Sequence, residues 1–155
     1  MEMRDEAEII WKLYQEHCTW ERHHEQQRTS VTNLFLAVAA AVLGVISLDR
    51  ELSGSDLPLT IFLIVQGFFG SVFVAKHYEV FSTHQSRAGH YREALDSIYP
   101  GAGILSNRVK ADKENAARFP HLHKLRLNKF WVGLHILIAL FGAVLTGIIL
   151  TRLFT

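Results

Sequence analysis

The chain has 155 residues, with 16 Lys or Arg against 15 Asp or Glu and nine His, for a formal net charge of +1. That length leaves room for one domain of about 100–200 residues and none for a separate catalytic module. Balanced charge gives no electrostatic footprint for nucleic acid, and a single cysteine, Cys18, excludes an internal disulfide framework and a cysteine-based zinc site.

In chain order, residues 1–30 are predicted to form a cytoplasmic amphipathic helix. Ile9, Ile10, Leu13, Tyr14, His17 and Trp20 follow a 3.6-residue pattern, and Glu8 and Lys12 make an i,i+4 pair. This helix either lies on a bilayer, anchored by Trp11 and Trp20, or runs straight into the apolar stretch behind it. Three apolar runs follow, at 31–48, 57–75 and 130–151, and none contains Asp, Glu, Lys or Arg. Each has about the 17–25 residues that a helix needs to cross a hydrocarbon layer. A water-soluble bundle would carry polar stripes on these helices, and the runs lack them. The first run stands behind some thirty charged residues rather than the short basic start of a cleavable signal.

Residues 49–56 read as a tight external turn, with Gly54 between serines and Pro58 suited to the first turn of the next helix. The second span should continue through "KHYEVFSTHQSRAGHYREALDSI" until Tyr99-Pro100-Gly101 stops it. At about 1.5 Å per residue, that extension forms a cytoplasmic stalk of roughly 30 Å. Residues 107–118 suggest a short charged helix closed by Pro120, and residues 121–129 a basic lead-in to the third span. The expected fold is an all-α integral membrane protein with three transmembrane helices and a long cytoplasmic helical stalk from the second, residues 76–129 being the cytoplasmic helical region. Lys and Arg cluster before the first span and between the second and third. The positive-inside rule therefore puts the N-terminus of a multi-pass membrane protein in the cytoplasm.

Spacing decides what the histidines suggest. His77, His84 and Tyr91 recur every seven residues, with Phe81 and Ala88 in the same stripe, as in a packed helical seam. With Arg87 and Arg92 they make a candidate assembly or partner face. Two metal ligands on one helix need i,i+3 or i,i+4 spacing, which these histidines lack, so no metal is expected. No glycine-rich phosphate loop is present, and no cofactor is expected. Arg118 and His123 share the R-x4-H spacing of HEPN ribonucleases, in which such a pair would stabilise phosphate charge and exchange protons, although Pro120 interrupts the helix that would hold them. Basic residues at a membrane face are the competing reading.

Within the spans, small residues recur every four positions. His135, Ala139, Ala143, Gly147 and Thr151 do so in the third, Ala37/Ala41 and Ala40/Gly44 in the first, and Gly67/Ser71 in the second, with Gln66 near mid-depth. Such spacing allows close helix packing, and polar members can hydrogen-bond across the contact. Gln66, Gly67 and Ser71 could line a pore in a ring of subunits, or Gln66 could bond to a neighbouring helix. Charged midplane residues and paired broken helices, the marks of a transporter, are missing.

The charged helix, "QQRTSVTNLFLAVAAAVLGV", the short turn, the second span and "RAGHYREALDSI" together resemble small bacterial membrane effectors of the SLATT and RipA-like types, including octameric CRISPR-associated accessory proteins. The resemblance covers residues 14–98 and is architectural. It implies a ring assembled through cytoplasmic helices, and a pore or depolarising action in antiphage defence. The C-terminal third span departs from that pattern. The leading expectation is thus a non-enzymatic homo-oligomer in a lipid bilayer, acting as a pore or membrane-perturbing effector. The alternatives are a membrane-tethered ribonuclease using Arg118 and His123, and an adaptor that docks a soluble protein; a nucleic-acid partner is not expected.

Overall fold

A computed structural model describes residues 2–48 and 51–155, with the side chains of residues 2 and 3 left aside. Among these residues 91% are helical, arranged as α1 (Glu2–Ile46), α2 (Leu57–Ile98), α3 (Ile104–Arg118) and α4 (Leu127–Phe154) with short 3-10 turns between. Three of the helices are long and apolar enough to cross a membrane.

The helix boundaries follow from the local chemistry. No Gly or Pro occurs between residues 2 and 43, so nothing interrupts α1 over its 45 residues. Asp49 and Arg50, the first part of the expected turn, lie outside the described residues. In the rest of that turn the Ser53 amide donates to Asp56 Oδ2 at 2.9 Å, and Pro58 occupies the first turn of α2. The helix then continues to Ile98 and stops at Tyr99-Pro100, where the sequence predicts its end. Gly103, left-handed at φ 59°, turns the chain into α3, which begins three residues earlier than the charged pattern suggests. Asp96 Oδ1 accepts the Leu105 amide at 3.2 Å and fixes that corner.

The chain divides into two compact units. One comprises Met1–Gln26 and Tyr78–Arg126; the other comprises Gln27–His77 and Leu127–Thr155.

In the second unit the buried positions repeat every seven residues: Thr32, Ala39 and Ile46 on α1; Thr60, Gly67 and Val74 on α2, with Leu63 and Gly70 beside them; His135, Gly142 and Ile149 on α4. A seven-residue period keeps a single seam facing its neighbours along helices of 3.6 residues per turn. Glycines set the spacing of α2 and α4. A Cβ on Gly67 would lie 2.5 Å from the Ala139 amide nitrogen and 2.6 Å from the His135 carbonyl, and one on Gly142 would lie 2.8 Å from the Thr60 carbonyl. Polarity is distributed against the usual rule for a water-soluble core: the interior holds Thr32, Thr60, Gln66 and His135, while Phe62, Phe68, Phe69 and Phe141 face outward.

In the first unit, Ala88 and Leu95 of α2 and Ala7 of α1 are buried. Phe81, His84 and Tyr91 on α2, and Leu13, Tyr14, His17 and His24 on α1, are half-buried around them.

Candidate functional site

The chemistry-bearing side chains gather in two places, one in each unit. Inside the second unit, Gln66 Nε2 donates to the Phe35 carbonyl at 2.6 Å, an interhelical bond of the kind its mid-span position suggests. Gln66 Oε1 and both ring nitrogens of His135 are buried and meet no hydrogen-bonding partner among the described residues. The His135 imidazole stands edge-to-face with Phe35 at 5.7 Å, and its Nδ1 packs against Gly70, where any side chain would overlap it. A second polar contact joins Thr146 to Thr60 at 2.8 Å, while Thr146 also bonds to the Gly142 carbonyl. Arg28 is buried, with its guanidinium 5.5 Å from the Trp131 ring centre, a cation–π geometry.

The expected span residues divide into two groups. Gln66, Gly67 and His135 are buried, Ala139 and Ser71 are half-buried, and Ser71 donates to the Gly67 carbonyl on its own helix. Ala143 and Gly147 lie on the open face of α4, and Ala37, Ala40, Ala41 and Gly44 on the open face of α1. A Cβ at Gly44 or Gly147 would meet nothing within 4 Å. The four-residue tracks are therefore not the seam within the chain, because four residues advance the helix by 400° and drift around it, whereas seven return almost to the start. Sequence reasoning missed Thr32, Thr60, Gly70, Gly142 and Thr146; the seven-residue series 32/39/46, 60/67/74 and 135/142/149 was the signal that could have found Thr32, Thr60 and Gly142. Exchanging Gln66 for Leu removes one interhelical bond and also one unsatisfied oxygen. The net loss in unfolding stability should be no more than about 1 kcal/mol, measurable by denaturant titration in detergent.

The first unit carries a run of rings. His17 Nδ1 and His84 Nδ1 lie 2.9 Å apart, so one must donate and the other accept. His84 also stacks on His24 at 5.6 Å and on Trp20 at 6.0 Å, and His17 stacks on Tyr91 at 5.5 Å. Burial holds the His84 imidazole below its ordinary range, helped by the nearby His17, His24 and Arg87 and opposed by Glu16. Glu21 is raised by burial, against the pull of Arg92 and His17, and hydrogen bonding to the Cys18 thiol, followed by burial, raises Tyr14.

Of the residues expected at the assembly face, two meet α1 within the chain. His84 and Tyr91 pack on α1 of the same chain, Arg92 is half-buried beside them, and Arg87 is exposed. His77, in the other unit, packs on Phe73 at 4.2 Å. Arg118 and His123 do not share a helix. Arg118 ends α3 with its guanidinium 5.4 Å from the Phe119 ring, and His123 lies beyond Pro120 in a 3-10 turn. No group of three or more His, Cys, Asp or Glu among the described residues is placed to hold a metal ion.

Comparison of the chain with protein-family models, with curated proteins and with solved structures finds no match in any of the three.

Proposed function

We propose that the protein is a multi-pass protein of the bacterial inner membrane, N-terminus in the cytoplasm, which self-associates through its spans and perturbs or conducts across the bilayer. One observation carries this reading: the outward surface of the second unit is apolar, and among its bulky side chains run small-residue tracks that no described residue covers. In a bilayer, helices associate by close backbone approach at such tracks rather than by the hydrophobic effect. An outward belt of Phe, Leu and Val over a polar interior is stable when the surrounding solvent is lipid. The effector role draws on the resemblance to SLATT and RipA-like proteins. The R-x4-H reading gains nothing from an Arg stacked on Phe119 and a His across a proline.

Two measurements test the proposal. Mass determination in nanodiscs should find more than one copy, and Ala41→Leu together with Gly147→Leu should convert the assembly to monomers. Induced expression should collapse the membrane potential reported by a voltage-sensitive dye, and the double variant should not. A monomeric wild type with an undisturbed potential would overturn the reading.

A further inference from the structure

After α3 the chain makes a short exposed segment whose two kinds of side chain call for the same environment. Leu122 and Leu125 are 64% and 72% exposed, and Phe119 is 42% exposed. Arg118, Lys124 and Arg126 lie among them, all exposed, and no Asp or Glu occurs anywhere from residue 115 to residue 155. Local turns take up much of the backbone polarity: the amides of Phe119, His123, Lys124 and Leu125 donate to the carbonyls of Asn115, Phe119, His121 and Leu122, and Pro120 has no amide hydrogen. The segment can therefore leave bulk water at lower cost than an open loop could.

We propose that residues 118–126 form a docking surface for anionic phospholipid. Phe119, Leu122 and Leu125 enter the interfacial zone, while Arg118, Lys124 and Arg126 pair with headgroup phosphates. The inference rests on the reading that α4 crosses the bilayer. Arg126 stands four residues before Phe130, where the last apolar run begins, which tethers the end of the segment near the headgroups. Charge complementarity selects the lipid: an all-basic stretch with exposed leucines matches a negative, partly apolar surface, and each Lys or Arg near such a surface adds to the attraction. A soluble protein partner would leave the leucines insensitive to lipid composition. Nucleic acid would use the charges but give Leu122 and Leu125 nothing to enter.

The test uses the full chain with Cys18→Ser, carrying either Leu122→Cys or Val144→Cys, in nanodiscs of phosphatidylcholine alone or mixed with phosphatidylglycerol. Reaction with a membrane-impermeant maleimide is followed. Val144→Cys, on the outward face of α4, should be protected in both lipids. Leu122→Cys should react about tenfold more slowly when the anionic lipid is present. Lys124→Glu with Arg126→Glu, or high salt, should erase that difference. Equal rates for Leu122→Cys in the two lipids, with Val144→Cys still protected, would retire the docking surface alone. A reactive Val144→Cys in both lipids would remove the spanning reading and this proposal with it.

Discussion

Replacing Gly67 with alanine should lower the unfolding stability of the purified protein by about 3 kcal/mol, the upper part of the range for an overpacked core. The added methyl would sit 2.5 Å from the Ala139 amide nitrogen, 2.6 Å from the His135 carbonyl and 2.8 Å from the Ala139 Cβ. Two of these are backbone atoms, which no rotamer change can move. Relief requires α2 and α4 to separate, and separation weakens the contacts on both sides of the seam, including the Thr60–Thr146 bond. Gly133→Ala, also on α4, is the matched control, since a Cβ there meets nothing within 4 Å. It makes the same chemical change on the same bundle and should leave stability unchanged or slightly higher. Denaturant unfolding in a fixed detergent, followed by tryptophan fluorescence, separates the two. Equal stability of Gly67→Ala and wild type would mean that α2 and α4 do not approach as closely as described.

The contrast between buried and open glycines also explains what the sequence could and could not convey. Length and apolarity marked the three long helices, and Tyr99-Pro100 marked the end of α2, because helix-breaking chemistry is local and needs no partner to act. The choice of helix face is different. Every span holds small residues at both four- and seven-residue spacing, and only the positions of the neighbouring helices decide which set is buried. Gly142 and Gly147 are both glycines in one apolar run, yet one lies against the Thr60 carbonyl and the other is open. Arg28 illustrates the same limit. As a basic residue before an apolar run it is a topology signal, but its guanidinium is buried over Trp131, a residue about a hundred positions further along the chain.

The histidine stripe was legible in half. Positions 84 and 91 of the expected stripe lie in the seam on α2, whereas His77 belongs to the other unit and packs on Phe73. The seam's partner stripe, His17 and His24, is also seven apart, but the adjacent His23 and His24 draw attention first and point in different directions. The sequence predicts that the α2 stripe meets another copy or a partner; in the structure His84 instead meets His17 of α1 in the same chain.

That contact should make the first unit sensitive to pH. Two Nδ1 atoms 2.9 Å apart can share one proton; with both imidazoles cationic, two N–H groups would face each other and the contact must break. Burial, His17, His24 and Arg87 depress the folded-state affinity of His84 for a proton below its ordinary value of 6.5, and Glu16 opposes them only in part. The unfolded chain therefore binds the proton more readily than the folded one. The stabilisation is fully present above pH 6.5, and it is lost as the pH falls from 6.5 through the lower folded-state value. Amides of α1 facing this seam should thus exchange with deuterium faster at about pH 5.5 than at about pH 7.5, after correction for intrinsic rates. His84→Gln can accept or donate a hydrogen bond at either pH, and should flatten most of that difference without unfolding the unit. Wild-type exchange that is equally slow at both pH values would show that proton binding at this pair does not oppose the seam. Exchange that accelerates in wild type and His84→Gln alike would show that His84 is not the group whose protonation opens the seam.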